Sequence, residues 1–392
     1  MASVPSFWLS RGGRPEEVET VVVGAGIVGL STAYWLTRSG RRPLVLDADG
    51  VASHASGRNA GYLMTGTAEP YTWLVGAMGE AAAFRLWELS SENRELLRGE
   101  LLDAGKIDCE FTPEGGWITA MADNPAQERA LRESGELLAA RGFQIEWRDA
   151  AEVRRASGSD RLGGALFLPR DGGLDPARLC RGIARLVTGA GGEVRTGVRV
   201  RRLEPEGGRV RIVTDGGHLL AGRVVLALNA YAPALLPHLV GEIRPVRGQI
   251  LATAPGARDL TGVWYVNDGY EYLRQLPDGT LILGGCRRVA RETEVGYEET
   301  PTAQVQGALE GFLREAFPRF ADRPILHRWA GIMAFTPDSL PRTGEVPGIP
   351  EAIYAAGFNG HGMSLGFATG KWLAERVMGK GTGSLFPAVQ PG

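Results

Sequence analysis

Cysteine is scarce. The chain carries three, Cys109, Cys180 and Cys286, far apart and without the spacing of a metal site. So few thiols, and an odd number, argue against a disulfide framework and for a reducing compartment, with the cytoplasm as the expectation. Charge of one sign is also missing: 43 basic residues against 45 acidic leave −2. A nucleic-acid binder would show a basic excess or stripe. No apolar run approaches the ~18–20 residues of a membrane span. Phe7-Trp8-Leu9 is too short an apolar stretch for a signal peptide. What is abundant is glycine, at 56 of 392 residues, and apolar residues, at 44%. That length and composition suit two buried cores.

The first glycines fall where a phosphate would need them. VETVVV (18–23) reads as a buried parallel strand. Gly24-Ala25-Gly26-Ile27-Val28-Gly29 follows at once, then a helix pattern to Ser39 with Leu30, Ala33, Tyr34 and Leu36 on its inner side. Pro43 to Leu46 is a second strand, and Asp47 stands at its end. Gly24 allows the tight turn, Gly26 a close pyrophosphate and Gly29 close helix–strand packing. Asp47 is placed for ribose hydroxyls. The pattern reads as an ADP-bearing dinucleotide, NAD or FAD.

Three later stretches favour FAD. SHASGRNAGY (53–62) is a polar, small-residue loop with little bulk to obstruct a flavin ring, and Ser53, Ser56 and Asn59 can hydrogen-bond there. Val194–Thr196, Val198–Leu203, Val210–Thr214 and Arg223–Leu228 read as a β-meander with glycine turns. It follows a helix with Asp175 as N-cap and Pro176 at its first position. Near the C-terminus, a strand from Ala352 to Ala356 leads into GFNGHGM and a helix from about Ser364 to Met378. That helix N-terminus would aim at the pyrimidine end of a flavin.

With these motifs the chain resembles the FAD-dependent oxidoreductases that include D-amino-acid oxidase, glycine oxidase and monomeric sarcosine oxidase. The resemblance covers nearly the whole chain, through VVVGAGIVGLSTAYWLTRSG…VLDAD, ASGRNAGYL, RPVRGQIL, RWAGIMAFTPDSLPRTGEVPG and AAGFNGHGMSLGFATGKWLAERVMG. It implies an α/β, Rossmann-like FAD-binding domain, a parallel sheet plus the meander, from residues 1–85, 150–235 and 328–392. A discontinuous α+β substrate domain on a mixed or antiparallel sheet would come from 86–149 and 236–327. Strand-like stretches Gly116–Met121, Gln249–Ala254, Tyr270–Gln275 and Thr280–Gly284 suit that sheet. The implied FAD contacts begin with Gly24, Ala25, Gly26, Ile27, Val28 and Gly29, then Asp47 and Ala48. The small-residue loop adds Ser53, His54, Ser56, Arg58, Asn59, Ala60 and Gly61. Val200, Ala227, Asn229 and Gly331 follow, and then Gly357, Asn359, Gly360, His361, Gly362 and Met363.

The family's chemistry is oxidation of a C–N bond by hydride transfer to flavin N5, giving an imine that hydrolyses, with dioxygen or another acceptor taking the electrons. Relatives hold a substrate carboxylate with a cation. Here the two corresponding positions are Met333 and Ser364, and the Cys that tethers flavin in sarcosine oxidase is replaced by Ile332. The expected substrate is therefore a small amine, or an amino acid whose carboxylate is held otherwise. Arg58 and Arg274 are the candidate anchors, against a flavin-contacting role for Arg58 and a solvent-facing strand position for Arg274. Tyr272 matches a substrate-contacting tyrosine, or is a core aromatic. FAD would be held non-covalently, with a covalent link through His54 as the alternative. Tyr71, Trp73, Phe84 and Trp87 read as core between the domains. Two other functions stand beside the oxidase reading. One is a flavoprotein dehydrogenase or partner subunit passing electrons to another protein. The other is an NAD-dependent dehydrogenase. No metal site is expected.

Overall fold

Val21 and Val22 are fully buried, and Val23 nearly so, because the strand that contains them has neighbours on both sides. In this computed structural model, which describes residues 16–67, 69–381 and 383–387, Glu16–Val23 pairs in parallel with Leu44–Leu46 and with Gly217–Leu226. The sheet runs in the order Arg342–Val346, Ile349–Ala356, Gly217–Leu226, Glu16–Val23, Leu44–Leu46, Glu193–Arg195. Arg209–Thr214 and Val200–Glu206 continue off Gly217–Leu226 as the antiparallel meander. The Phe7-Trp8-Leu9 stretch lies outside the described residues.

Helix Ile27–Arg38 starts at the glycine turn and buries Leu30, Ala33, Tyr34 and Leu36. It packs against Gly362–Val377, the helix that follows GFNGH. Asp175 caps Pro176–Gly189 by accepting from the N–H groups of Ala177 and Arg178, both at 2.9 Å.

The second sheet is mixed, in the order Ile325–Phe335, Arg244–Thr253, Leu281–Gly285, Glu271–Gln275, Val263–Val266, Gly116–Met121, Leu162–Leu168, Glu146–Arg148. Only Val263–Val266 with Gly116–Met121 is parallel.

Sheet membership moves the expected boundaries. Segment 150–168 is expected in the dinucleotide unit, but Leu162–Leu168 pairs with Gly116–Met121 in the second sheet. Ile325–Phe335 pairs along its length with Arg244–Thr253, so the stretch after 328 also begins in that sheet. Conversely, helix Glu80–Leu97 shares its apolar core with Ile27–Arg38 and Gly362–Val377. Leu162–Leu168 is buried on both faces, so its side-chain pattern does not reveal which sheet it joins, while Ile325–Phe335 is exposed in its first half and buries alternate residues only from Ala330 on. The small-residue loop is also more regular than expected, containing a short helix, Ala55–Arg58, and a two-residue strand, Tyr62–Leu63.

Candidate active site

One cavity of about 560 Å³ runs between the two sheets. At its first end lies the glycine turn. Gly24 has φ +110°, and a Cβ there would lie 2.5 Å from the carbonyl oxygen of Ala227. Helix Ile27–Arg38 opens on the cavity without a side-chain cap. Its first-turn N–H groups therefore form an anion-ready end. Asp47 holds the turn together: its carboxylate accepts from Ala25 N at 2.8 Å and from the N–H groups of Asp49 and Gly50 at 2.9 Å. Gly24, Gly26, Ile27, Val28 and Asp47 line the cavity, as do Ala227 and Asn229. Ala25 and Gly29 shape the turn from behind. Ala48, Val200, Gly61 and Gly357 are not in the wall. Val200 instead packs into the apolar cluster beneath the meander.

The loop after Asp47 supplies the next wall through Ser53, His54, Ser56, Arg58, Asn59 and Ala60. Ser56 Oγ accepts from Ile27 N at 2.9 Å. Asn59 is spent inside the loop, donating to Ala55 and Ser56 carbonyls and accepting from Gly61 N. Arg58 is no free anchor. It donates to the Ser53 carbonyl at 2.8 Å and the Ala330 carbonyl at 2.9 Å, and pairs with Glu299 at 3.2 Å. His54 lies beside it, with Nδ1 3.0 Å from Glu299 and Nε2 2.8 Å from Asp49. Burial opposes protonation of His54, but those two carboxylates outweigh it and raise its pKa. Tyr231, at 3.3 Å from Nδ1, completes the cluster.

The GFNGHGM loop forms the roof with Asn359, Gly360, His361, Gly362 and Met363. Asn359 clamps it: its N–H donates to the Ala334 carbonyl at 2.8 Å, and its Oδ1 accepts from Thr336 N at 2.9 Å. Asn229 Oδ1 accepts from Gly357 N and Phe358 N at 3.1 and 3.2 Å. His361 sits at the N-cap of Gly362–Val377 without making a side-chain cap. Its Nδ1 is 3.2 Å from the Asn359 carbonyl, which can only accept, so Nδ1 carries the hydrogen and Nε2 the lone pair. Burial lowers its pKa.

At the far end the wall is aromatic: Tyr62, Tyr265, Tyr270, Tyr272 and Phe335, with Trp73 at the rim. Tyr62 and Tyr272 meet edge-on at 6.1 Å between centroids, and Tyr265 meets His361 edge-on at 5.8 Å. Burial pushes the Tyr265 and Tyr272 phenols up, so both stay neutral. Met333 and Gly331 face the cavity from Ile325–Phe335, and Glu69, Asp268 and Arg287 supply the charge.

Two expectations are corrected here. Arg274 neither faces solvent nor lines the cavity. It is 5% exposed, packed against Gly173, and donates to the Gly61 carbonyl at 3.0 Å. Trp73 is not core: it is 44% exposed at the cavity rim, while Tyr71 and Trp87 are buried as expected. Arg287, Tyr265 and Glu299 escaped the sequence reading. The one signal for Arg287 is a basic pair one residue after a strand ending in two glycines.

These features suit FAD: a glycine turn that admits no Cβ, a helix end without a side-chain cap, a carboxylate at the end of the second strand and a wide, largely aromatic chamber beyond. A family described as FAD dependent oxidoreductase matches residues 19–376. "Probable oxidoreductase OrdL" of Rhizobium meliloti (strain 1021) is 28% identical, covering 96% of this chain and 86% of that protein. The gamma-glutamylputrescine oxidoreductase of Escherichia coli (strain K12) is 29% identical, covering 92% and 84%. The glycine oxidase structure from Bacillus cereus ATCC 14579 shares the fold, with a TM-score of 0.81 at 19% identity over 96% of this chain and 99% of that one. Among the described residues, no helix is long and apolar enough to cross a membrane. The match over most of the chain sets the NAD-dependent reading aside, and the protein belongs to the FAD dependent oxidoreductase family.

Proposed function

We propose that the protein oxidises the C–N bond of a small amine or amino acid, with FAD held non-covalently. The observation that carries this reading is the single cavity joining the uncapped helix end at Gly26 to a chamber of neutral aromatic side chains roofed by His361. The relative named for gamma-glutamylputrescine supports an amine substrate. FAD, when bound, supplies the hydride acceptor, and dioxygen or another electron acceptor regenerates it.

The remaining requirements fall on the chain. Tyr62, Tyr265 and Tyr272 enclose the amine-bearing carbon and exclude water. An ammonium cannot give up hydride, so the amine must first lose a proton. His361 Nε2 takes it: burial keeps this imidazole neutral, and the Asn359 carbonyl fixes the tautomer with its lone pair on Nε2. The freed nitrogen lone pair forms the C=N bond as the hydride leaves carbon. Water then adds to the imine, giving a carbonyl compound and ammonia or a smaller amine. We place the protein in the cytoplasm, where its three free, buried cysteines stay reduced.

The surroundings of His54 support non-covalent binding. Both ring nitrogens face carboxylates, and the raised pKa favours imidazolium, which has no lone pair with which to attack a flavin methyl. Acid precipitation should leave the yellow colour in the supernatant. A yellow pellet would show that a covalent bond forms.

The function itself is tested by anaerobic mixing of the holoenzyme with a panel of D- and L-amino acids, N-methyl amino acids, simple amines and 2-hydroxy acids. Amines or amino acids should bleach the yellow absorbance, and 2-hydroxy acids should not. Bleaching by hydroxy acids alone, or by nothing in the panel, would end the reading.

A further inference from the structure

Arg287 is a cation in the cavity wall without an anion. It follows Leu281–Gly285 through two residues of positive φ, Gly285 at +115° and Cys286 at +53°, so the chain leaves the sheet sharply there. The guanidinium lies 5.2 Å from the Phe335 ring centroid and 5.9 Å from that of Tyr270. Among the described residues it makes no hydrogen bond or ion pair, and the arginines that act on it, Arg244 and Arg291, repel it. Arg288 adds a further positive charge over the Tyr270 ring. Other arginines near the site are answered: Arg58 by Glu299, Arg247 by two bonds to Glu294, Arg274 by the Gly61 carbonyl. A half-buried guanidinium held between rings, and left without an anion, is placed to receive one.

Its position along the wall carries the length of the ligand. On Ile325–Phe335 the residues lining the cavity are Gly331, Ile332, Met333 and Phe335, of which Gly331, Met333 and Phe335 share one face of the strand. Arg58 packs over Gly331. Met333 sulfur borders Gly360 of the roof loop, 3.5 Å from where a Cβ would stand. Arg287 lies over Phe335, one same-face step, about 7 Å, further along the strand. The wall beside the roof loop therefore offers a thioether, neutral phenols and the carboxylates of Glu69 and Asp268, and the cation stands beyond it. An α-amino acid carries its carboxylate on the carbon that is oxidised, which would leave that charge against Met333 with no cation beside it.

We propose that Arg287 binds the substrate carboxylate, and that this carboxylate is separated from the oxidised carbon by roughly three or more methylenes, the span of one same-face step. The substrate class is then an amine with a distal carboxylate, of the δ- or ε-amino acid kind. This rests on the amine-oxidation reading above.

The test uses the holoenzyme and its Arg287→Met and Arg287→Lys variants. Anaerobic bleaching is measured with glycine, β-alanine, 4-aminobutyrate, 5-aminovalerate and 6-aminohexanoate, and with the matching carboxylate-free alkylamines. The longer amino acids should be preferred over glycine. Arg287→Met should raise their half-saturation concentration about 10–100-fold, with the limiting rate changed less than about threefold, and leave the alkylamines alone. Arg287→Lys should recover part of the loss. Valerate, which cannot be oxidised at nitrogen, gives a second readout through the shift it causes in the flavin spectrum, and its binding should weaken in Arg287→Met. Preference for glycine, or an unchanged half-saturation concentration in Arg287→Met, overturns the proposal. Valerate binding that is indifferent to Arg287→Met overturns it whatever the amines do. If no amine bleaches the enzyme, the oxidation reading falls, and weaker valerate binding in the variant would still support Arg287 as the carboxylate site.

Discussion

Replacing Gly29 with alanine should leave the purified protein nearly colourless. Gly29 lies in the first turn of Ile27–Arg38, and a Cβ there would run into the carbonyl oxygen of Gly24 while standing 3.3 Å from Val22 Cγ1. The obstacle is backbone, so no side chain can swing away. Relief requires moving either the helix start or the turn at Gly24. Both are pinned, by Ala25 N on Asp47 and by Ile27 N on Ser56. Overpacking of this kind costs about 1–3 kcal/mol. A shift of the turn also displaces the N–H groups offered to the pyrophosphate, so FAD content should fall by at least about tenfold. The same substitution at Gly307 is the control. That residue lies within helix Ala303–Ala316 with nothing near its missing Cβ, so alanine there should stabilise the protein by roughly 0.5–1 kcal/mol and keep it yellow. The ratio of flavin to protein absorbance, with a melting curve, decides. A fully yellow Gly29→Ala protein would mean that the turn is not the FAD cradle.

That turn was readable because its demands are local. Strand, glycines, helix and acid follow one another in the chain, and each has a backbone reason for its position. The same holds for Asp175, whose cap needs only the next three residues. Arg274 and Arg287 were not readable, because their roles depend on what lies across the sheet. Arg274 belongs to a strand buried on both faces, so alternation does not say which way it points. It ends against Gly173, about a hundred residues away in sequence. Arg287 becomes a cavity residue through the positive φ of Cys286, a conformation that Cys does not advertise. At 150 and 328 the sheet that each strand joins was hidden for a related reason. Leu162–Leu168 is buried on both faces and Ile325–Phe335 on one face of its second half, and in each case only long-range pairing chooses the sheet.

Removing the charge of Arg94 should destabilise the protein by about 3–5 kcal/mol at pH 8, and by much less at pH 5. Arg94, on helix Glu80–Leu97, bonds Asp171 at 2.6 Å, and the Asp171 side chain is fully buried. Asp171 also accepts from Thr65 N at 3.0 Å and Thr65 Oγ1 at 2.9 Å. This ties the strap after Tyr62–Leu63, whose Met64 lines the cavity, to the helix behind it. Burial pushes the Asp171 carboxyl up to about 6, against the pull of Arg94 and Thr65. The unfolded value is near 3.9, so the folded state holds the proton more tightly. Stability linked to this group is fully present below about pH 4 and is lost as pH rises through about 6. Arg94→Met removes the principal pull toward ionisation and moves the folded pKa higher still. At pH 5 the variant then keeps Asp171 protonated and neutral, and the missing cation costs little. At pH 8 it must either bury an unpaired carboxylate or unfold the strap. For a chain of this size the loss amounts to roughly 4–6 °C in Tm. Melting curves of the wild type, Arg94→Met and Arg94→Lys at pH 5 and pH 8 test the argument. The gap between wild type and Arg94→Met should widen with pH, and Arg94→Lys should close part of it at pH 8. An equal gap at both pH values would mean that Arg94 stabilises by packing alone, and that Asp171 does not carry the charge assigned to it.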